Sequence, residues 1–273
     1  NPLFNGCNLT IYGNEGTFDF ATDKNVSPFA FFGCQNLASV TVNGAGKIGE
    51  NAFNGCTSLN SISIESDAIS IGENAFSHCS SLKSIYLNIS SCVAKDSIFW
   101  ASGNGIDLRL GAKCSNLPGN LFLTEKGDYL PKIASLVCDE GMTELNVSFK
   151  DIDSLITVSL PEGMTKIGDD AFYGCSGIVA ITFPSTLTEI GDNAFSRTRL
   201  TGDIVLPNSI TMIGKCAFSS TPITSVNIPS SLKRLEASAF SNCSSLQMQI
   251  TLPNGIEVIE SHVFTDSKVY GTL

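Results

Sequence analysis

The stretch Ile71-Gly72-Glu73-Asn74-Ala75-Phe76-Ser77-His78-Cys79-Ser80-Ser81-Leu82-Lys83-Ser84-Ile85-Tyr86-Leu87 decides the fold, because it recurs. Its phenylalanine returns about every 23 residues at Phe4, Phe31, Phe53, Phe76, Phe99, Phe122, Phe149, Phe172, Phe195, Phe218, Phe240 and Phe264. A fixed period in this range marks a solenoid, in which each coil is one small supersecondary unit that buries its apolar face against its neighbours.

Each part of the unit has a physical reading. Leu82, Ile85 and Leu87 lead into an alternation with Ser84 and Tyr86 on the other face, the pattern of a short half-buried strand. Leu59-Ile62-Ile64, Leu155-Val158-Leu160, Ile178-Ile181-Phe183 and Ile223-Val226-Ile228 repeat it. One such strand per coil predicts a parallel sheet along one side. The pairs Ala75-Phe76, Ala171-Phe172, Ala194-Phe195, Ala217-Phe218 and Ala239-Phe240 then lie opposite the sheet, with small Ala allowing close approach and Phe filling the coil. Gly49, Gly72, Gly168, Gly191 and Gly214 precede them and are expected to permit the bend into a short helical turn. The run Met164-Thr165-Lys166-Ile167 predicts a second, weaker strand line. The expected fold is a leucine-rich-repeat solenoid, α/β but mostly β. It has about eleven to twelve coils, a parallel sheet on one face and short helical turns on the other.

The array has two parts. From Pro161 onward each strand closes on proline (Pro184, Pro207, Pro229, Pro253), which has no N–H to donate; Asn43, Glu65, Asn88, Gly111 and Asp139 hold those places earlier. The step from Phe122 to Phe149 is 27 residues, and 123–148 reads as an irregular insert. The expectation is one solenoid over 1–273, with sub-arrays 1–122 and 149–273. With Asn1 opening almost directly on a repeat and Leu273 ending inside one, it is expected to be a fragment of a longer protein.

Composition narrows the function. Charged residues are only 15% of the chain, the net charge is −10, and the 16 Lys and Arg are scattered. Nucleic-acid binding needs a concentrated positive face, so it is not expected. No apolar run is long enough to span a bilayer, so direct membrane insertion is not expected either. Cys34, Cys56, Cys79, Cys175 and Cys243, like Cys7, follow the repeat Phe by three residues; Ser102, Thr198, Thr221 and Ser267 take the same slot. That is a buried small-residue position, where a free thiol acts as a small hydrophobe. Cys92 and Cys114 sit nearly one above the other on adjacent coils, and a disulfide between them is one reading. No metal-ligand spacing, phosphate loop or nucleophile–base pair appears, so no cofactor, metal or enzymatic role is expected. Sequons occur at Asn8, Asn25, Asn88, Asn146 and Asn242; about four would arise by chance in such a Ser/Thr- and Asn-rich chain. Asn242, beside inward Cys243, is expected to be poorly accessible.

The order Ile-Gly-x-x-Ala-Phe-x-x-Cys-x-x-Leu, with proline after the strand, resembles the BspA-like, or Treponema-type, leucine-rich repeats over roughly residues 28–270. The resemblance implies a secreted or surface-exposed protein of the kind found in mouth and gut bacteria and some parasitic protists. It also implies adhesion to host extracellular matrix and coaggregation. The units at Phe99, Phe122 and Phe149 depart from the pattern, with Ile98, Leu121 and Ser148 in place of Ala.

A solenoid turns the question of function from pockets to surfaces. The outward sheet positions are mostly small and polar, and the larger side chains among them single out one area: Lys83, Tyr86, Asp107 and Arg109, with Trp100 nearby and Tyr129 on the inserted loop. Tyr, Trp and Arg are the usual anchors of interfaces. The expected role is a protein-binding module taking a protein or glycoprotein ligand, with host matrix among the candidates, at the cell surface or outside the cell. The alternative is a spacer that binds nothing.

Overall fold

The computed structural model describes residues 25–44, 46–95, 97–117, 121–122 and 132–272. They form two compact units, divided between Asp139 and Glu140, inside the stretch the sequence marks as irregular.

The first unit contains β1 (Asn25–Val26), β2 (Ser39–Asn43), β3 (Lys47–Ile48), β4 (Ser61–Ile71), β5 (Ser84–Ala94), β6 (Asn104–Leu110) and β7 (Lys132–Cys138). Every pairing among them is parallel, and the register advances by one repeat per step: Ser39 faces Ser61, Ser61 faces Ser84 and Ser84 faces Asp107. The strand β4 serves two lines at once. Its first half pairs with β2 and its last two residues pair with β3. The alternation predicted from sequence is met: Ile62, Ile64, Ile85, Leu87, Leu108 and Leu110 are buried, while the residues between them face out. The predicted insert is narrower than its sequence suggests, because Lys132–Cys138 is an ordinary coil strand paired with β6.

The second unit contains β8 (Glu144–Leu145), β9 (Thr157–Ser159), β10 (Lys166–Ile167), β11 (Glu189–Ile190), β12 (Gly202–Ile204), β13 (Met212–Ile213), β14 (Ile223–Val226), β15 (Arg234–Leu235), β16 (Gln249–Thr251), β17 (Val258–Ile259) and β18 (Tyr270–Thr272). Here the continuous ladder is the second line, β8-β10-β11-β13-β15-β17, the one for which the sequence predicts the weaker strands. On the first line, strand pairing within this unit is confined to β12–β14 and β16–β18, and Ile178–Phe183 follows the coil without forming a strand. Two causes are visible. Proline ends the run and donates nothing. Leu200–Pro207 also holds one residue more than Ile178–Pro184, so the two runs do not match in length.

Opposite the sheet run the phenylalanines. Phe31, Phe53, Phe76, Phe99 and Phe122 stack in the first unit with ring centroids 5.0 to 5.8 Å apart. Phe149, Phe172, Phe195, Phe218, Phe240 and Phe264 do so in the second, at 5.3 to 5.9 Å. The predicted helical turns take the form of reverse turns with i→i+3 bonds, such as Cys34 N to Phe31 O at 3.1 Å. The one helical segment among the described residues is the 3-10 turn Ala112–Asn116. The turns around nine of the phenylalanines carry left-handed residues on both sides of the Phe, as at Asn51 (φ 52°) and Gly55 (φ 76°), and that around Phe149 carries one, Asp151. This explains why Asn and Asp recur before Ala-Phe: their short polar side chains tolerate that conformation. The turns are also bonded to one another, Phe53 N donating to Ala75 O and Phe172 N to Ala194 O, both at 2.8 Å. The turn side is therefore a third hydrogen-bonded line.

The glycines before the turn have a different reason from the expected one. Gly49, Gly72, Gly191 and Gly214 do not have left-handed φ. A Cβ on Gly214 would lie 2.6 Å from Gly191 C, and one on Gly72 would lie 2.7 Å from Gly49 C. Gly is needed because successive coils touch backbone to backbone there.

Candidate functional site

The predicted cluster separates into three parts. Tyr86 on β5 and Arg109 on β6 are direct ladder partners on the outward face of the first unit. The Arg109 guanidinium lies 5.8 Å from the centre of the Tyr86 ring, and its Nε donates to Asp139 Oδ1 at 2.5 Å. A cation against an aromatic face and a carboxylate hold the guanidinium in one place. Partial burial pushes the Tyr86 hydroxyl above its ordinary pKa, with Asp139 and Glu65 adding to the effect. Asp107 lies one ladder step away, facing Ser84, and accepts the Ser135 hydroxyl at 2.6 Å. Lys83, just before β5, donates to Asn104 O at 2.6 Å. These four share the sheet face.

Trp100 is not with them. It belongs to the turn after Phe99, where its ring meets His78 edge-on at 4.7 Å and its carbonyl accepts the His78 N–H. Linear distance misled here, because the chain crosses from the sheet side to the turn side between Leu87 and Phe99. Tyr129 lies outside the described residues.

The cysteine slot is more specific than a small hydrophobic position. Cys56 Sγ donates to Phe31 O at 3.1 Å, Cys79 Sγ to Phe53 O at 3.3 Å and Cys175 Sγ to Phe149 O at 3.0 Å; Ser102 Oγ does the same to Phe76 O at 2.5 Å. Each of these residues donates to the Phe carbonyl of the preceding coil, whereas Thr198 and Thr221 in the same slot donate to the Phe carbonyl of their own coil, at 2.8 and 2.7 Å; the slot therefore accepts any small side chain that can donate to a Phe carbonyl. Burial pushes the Cys56, Cys138 and Cys175 thiols up to about 12, so they remain protonated near neutrality. Cys92 and Cys114 are free thiols, and Cys114 Sγ is occupied by Leu87 O at 3.0 Å. Among the described residues no group of three or more His, Cys, Asp or Glu could hold a metal ion, and no helix is long and apolar enough to cross a membrane. Asn242 is exposed on its turn, contrary to expectation, because Cys243 turns inward alone.

Two surface features of the second unit escaped the sequence reading. An open cleft of about 530 Å³ lies along Glu162, Phe183, Ser185, Val205, Pro207 and Asn227. On the turn side, Tyr173 sits between Lys150 and Arg197. The signal for the second was present in the positions next to Phe149, Phe172 and Phe195, but it is invisible unless consecutive coils are aligned.

One short parallel strand per coil, aliphatic residues turned inward from it and a stacked aromatic line behind define the leucine-rich-repeat class of solenoid. The repeats match the family described as BspA type leucine rich repeat region, in six copies over residues 3–126 and 145–270, and the chain belongs to that family. No curated protein matches the chain. Several solved structures do. A leucine rich cell surface protein from Faecalibacterium prausnitzii A2-165 is 21% identical, with 94% of this chain and 78% of that one covered and a TM-score of 0.34. A leucine rich repeat protein from T. pallidum is 20% identical, with 90% and 77% covered and a TM-score of 0.32. The pneumococcal vaccine antigen PcpA is 17% identical, with 92% and 77% covered and a TM-score of 0.40.

Proposed function

We propose that this chain is a non-catalytic binding module, displayed at the cell surface or secreted, that engages a protein or glycoprotein through the sheet face of its first unit. The observation that carries this reading is the Tyr86–Arg109–Asp139 arrangement. An aromatic ring and a guanidinium stand next to each other on two hydrogen-bonded strands, so little side-chain freedom is left to lose on binding. Membership of the BspA-type family supports the surface location, and matrix glycoproteins are the partners to test first. The test is binding of the purified chain to a panel of host matrix glycoproteins, alongside the Tyr86→Ala/Arg109→Ala variant. Truncating two anchors at about 2 kcal/mol each predicts a loss of roughly 1000-fold in affinity. Unchanged affinity in the variant would remove this face from the reading.

The spacer reading has its own observation. Most of the face around the cluster is small and polar, as at Ser61, Ser63 and Ser84. Absence of binding across the whole panel would favour it.

A further inference from the structure

Glycine directly follows asparagine at Asn5, Asn43, Asn54, Asn104 and Asn254. Asn5 lies outside the described residues. Such a pair is open to a reaction of its own, because glycine has no side chain to shield its peptide nitrogen. That nitrogen can attack the side-chain carbonyl carbon of the asparagine, but it must first turn towards it. The movement rotates the peptide unit between the two residues, so a hydrogen bond on that unit opposes it.

Three of the four described pairs carry such a bond. Gly44 N donates to Glu65 O at 2.8 Å, Gly55 N donates to Ser77 O at 2.9 Å, and Asn104 O accepts the Lys83 ammonium at 2.6 Å. The fourth pair differs. Asn254 and Gly255 are both exposed, and among the described residues no hydrogen bond reaches the Asn254 carbonyl or the Gly255 N–H. The bonds of this turn fall on either side of the pair: Ile256 N donates to Pro253 O at 3.1 Å, and Gly255 O accepts Lys233 Nζ at 3.0 Å. The central peptide is left to move. The equivalent turn of an earlier coil, Pro161–Met164, is closed in the same way and holds that peptide in another orientation, with Gly163 at φ +95°, whereas Gly255 has no left-handed φ. Reverse turns of types I and II differ by this rotation, and glycine at the third position permits both.

We propose that Asn254 is a site of self-modification, the fastest of the four described pairs. The Gly255 N–H loses its proton to water or hydroxide, the nitrogen bonds to Asn254 Cγ, and the Cγ–Nδ2 bond breaks with release of ammonia. The product is a five-membered cyclic imide. Water opens it at either carbonyl and leaves an aspartate or an isoaspartate at position 254. The change adds one negative charge to a chain of net charge −10, in the turn where Lys233 is anchored. It requires no partner, so it stands or falls apart from the binding face of the first unit.

The test holds the whole chain in mildly alkaline buffer at body temperature for several weeks. Samples are digested in mild acid and mapped by mass spectrometry, and isoaspartate is counted by enzymatic methylation. A parallel sample in urea removes the fold, and there the four pairs should react at rates within a few-fold of one another. In the native chain Asn254 is expected to gain one dalton at least tenfold faster than Asn43, Asn54 or Asn104, with isoaspartate appearing in the same peptide. Asn254→Gln should abolish the gain in that peptide and leave the melting curve unchanged. Equal rates at the four pairs of the native chain, a faster rate at any of the other three, or no isoaspartate at position 254 where the urea sample forms it would overturn the assignment.

Discussion

Replacing Gly72 by Ala should unfold the first unit far more readily than replacing Gly55 by Ala, although both are glycines of neighbouring coils. In Gly72→Ala the new Cβ would fall 2.7 Å from Gly49 C and 2.8 Å from Glu50 Cα, both backbone atoms of the preceding coil. Carbon atoms settle near 3.5 Å or beyond, so the coils must part by roughly 0.7 Å. That movement stretches the Gly72 N to Ile48 O bond from 2.8 Å to the edge of hydrogen-bond range. Overpacking of about 1–3 kcal/mol and a weakened backbone bond of about 1 kcal/mol give about 2–4 kcal/mol in all. Gly55 has φ +76° and nothing closer than 3.7 Å to its added Cβ, so Ala there costs only the left-handed conformation, about 1 kcal/mol. Thermal unfolding followed by circular dichroism should show Tm falling by roughly 5–15 °C for Gly72→Ala and by about 2–4 °C for Gly55→Ala. Equal losses, or a larger loss at Gly55, would refute the argument that backbone contact between coils is what demands glycine at Gly72.

Two further outcomes follow from the cysteine slot. Cys79→Ser keeps a proton for Phe53 O and should cost less than about 1 kcal/mol; Cys79→Val leaves that acceptor with only the Cys56 N–H and adds a branched side chain, and should cost about 1–3 kcal/mol in urea unfolding. Alkali should destabilise the fold. The thiols of Cys56, Cys138 and Cys175 are pushed up to about 12, so between about pH 9 and 12 the unfolded chain ionises while the folded one does not. Their stabilisation is complete below pH 9 and is lost as pH rises through that window, by about 1 kcal/mol per thiol by pH 10. Tm measured from pH 8 to 10.5 should fall less steeply in Cys56→Ser/Cys175→Ser than in the native chain, and parallel curves would argue against thiol ionisation as the cause.

Much of the architecture was legible because periodicity exposes whatever is constrained in every coil. The buried Phe, the inward aliphatics and the small slot after Phe each answer a demand that recurs with every turn, and all are placed as the spacing predicts. What the spacing could not tell was the reason for a constraint. Gly72 reads the same whether it bends the chain or admits a neighbouring coil, and only the packing separates the two. The relative strength of the two strand lines was also hidden, because it depends on how each coil matches its neighbour in length: Leu200–Pro207 is one residue longer than Ile178–Pro184, and no local pattern reports that. Tyr86, Asp107 and Arg109 could be placed on one face because they occupy alternating positions on two adjacent strands, with Lys83 just before the first of them. Trp100 was misplaced because closeness along the chain is not closeness across a coil.

The positions that carry chemistry are the ones the coil leaves unspecified. At the residue after the repeat Phe the side chain differs from coil to coil: Ser77 and Ser196 are buried, whereas Asn54, Trp100, Lys150 and Tyr173 are half-buried, and reverse turns with inter-coil bonds are made around all of them. The same holds on the sheet face, where Ser84 or Tyr86, Asp107 or Arg109 satisfy one ladder equally well. A solenoid of this kind separates folding from recognition within every coil. Inward side chains and backbone bonds set the stability, so outward side chains are free to be chosen for a partner. Two large residues side by side on the outward side, as Tyr86 with Arg109 or Tyr173 with Lys150 and Arg197, are not called for by the core of their coils, which makes them the positions at which the proposed recognition can be tested apart from folding.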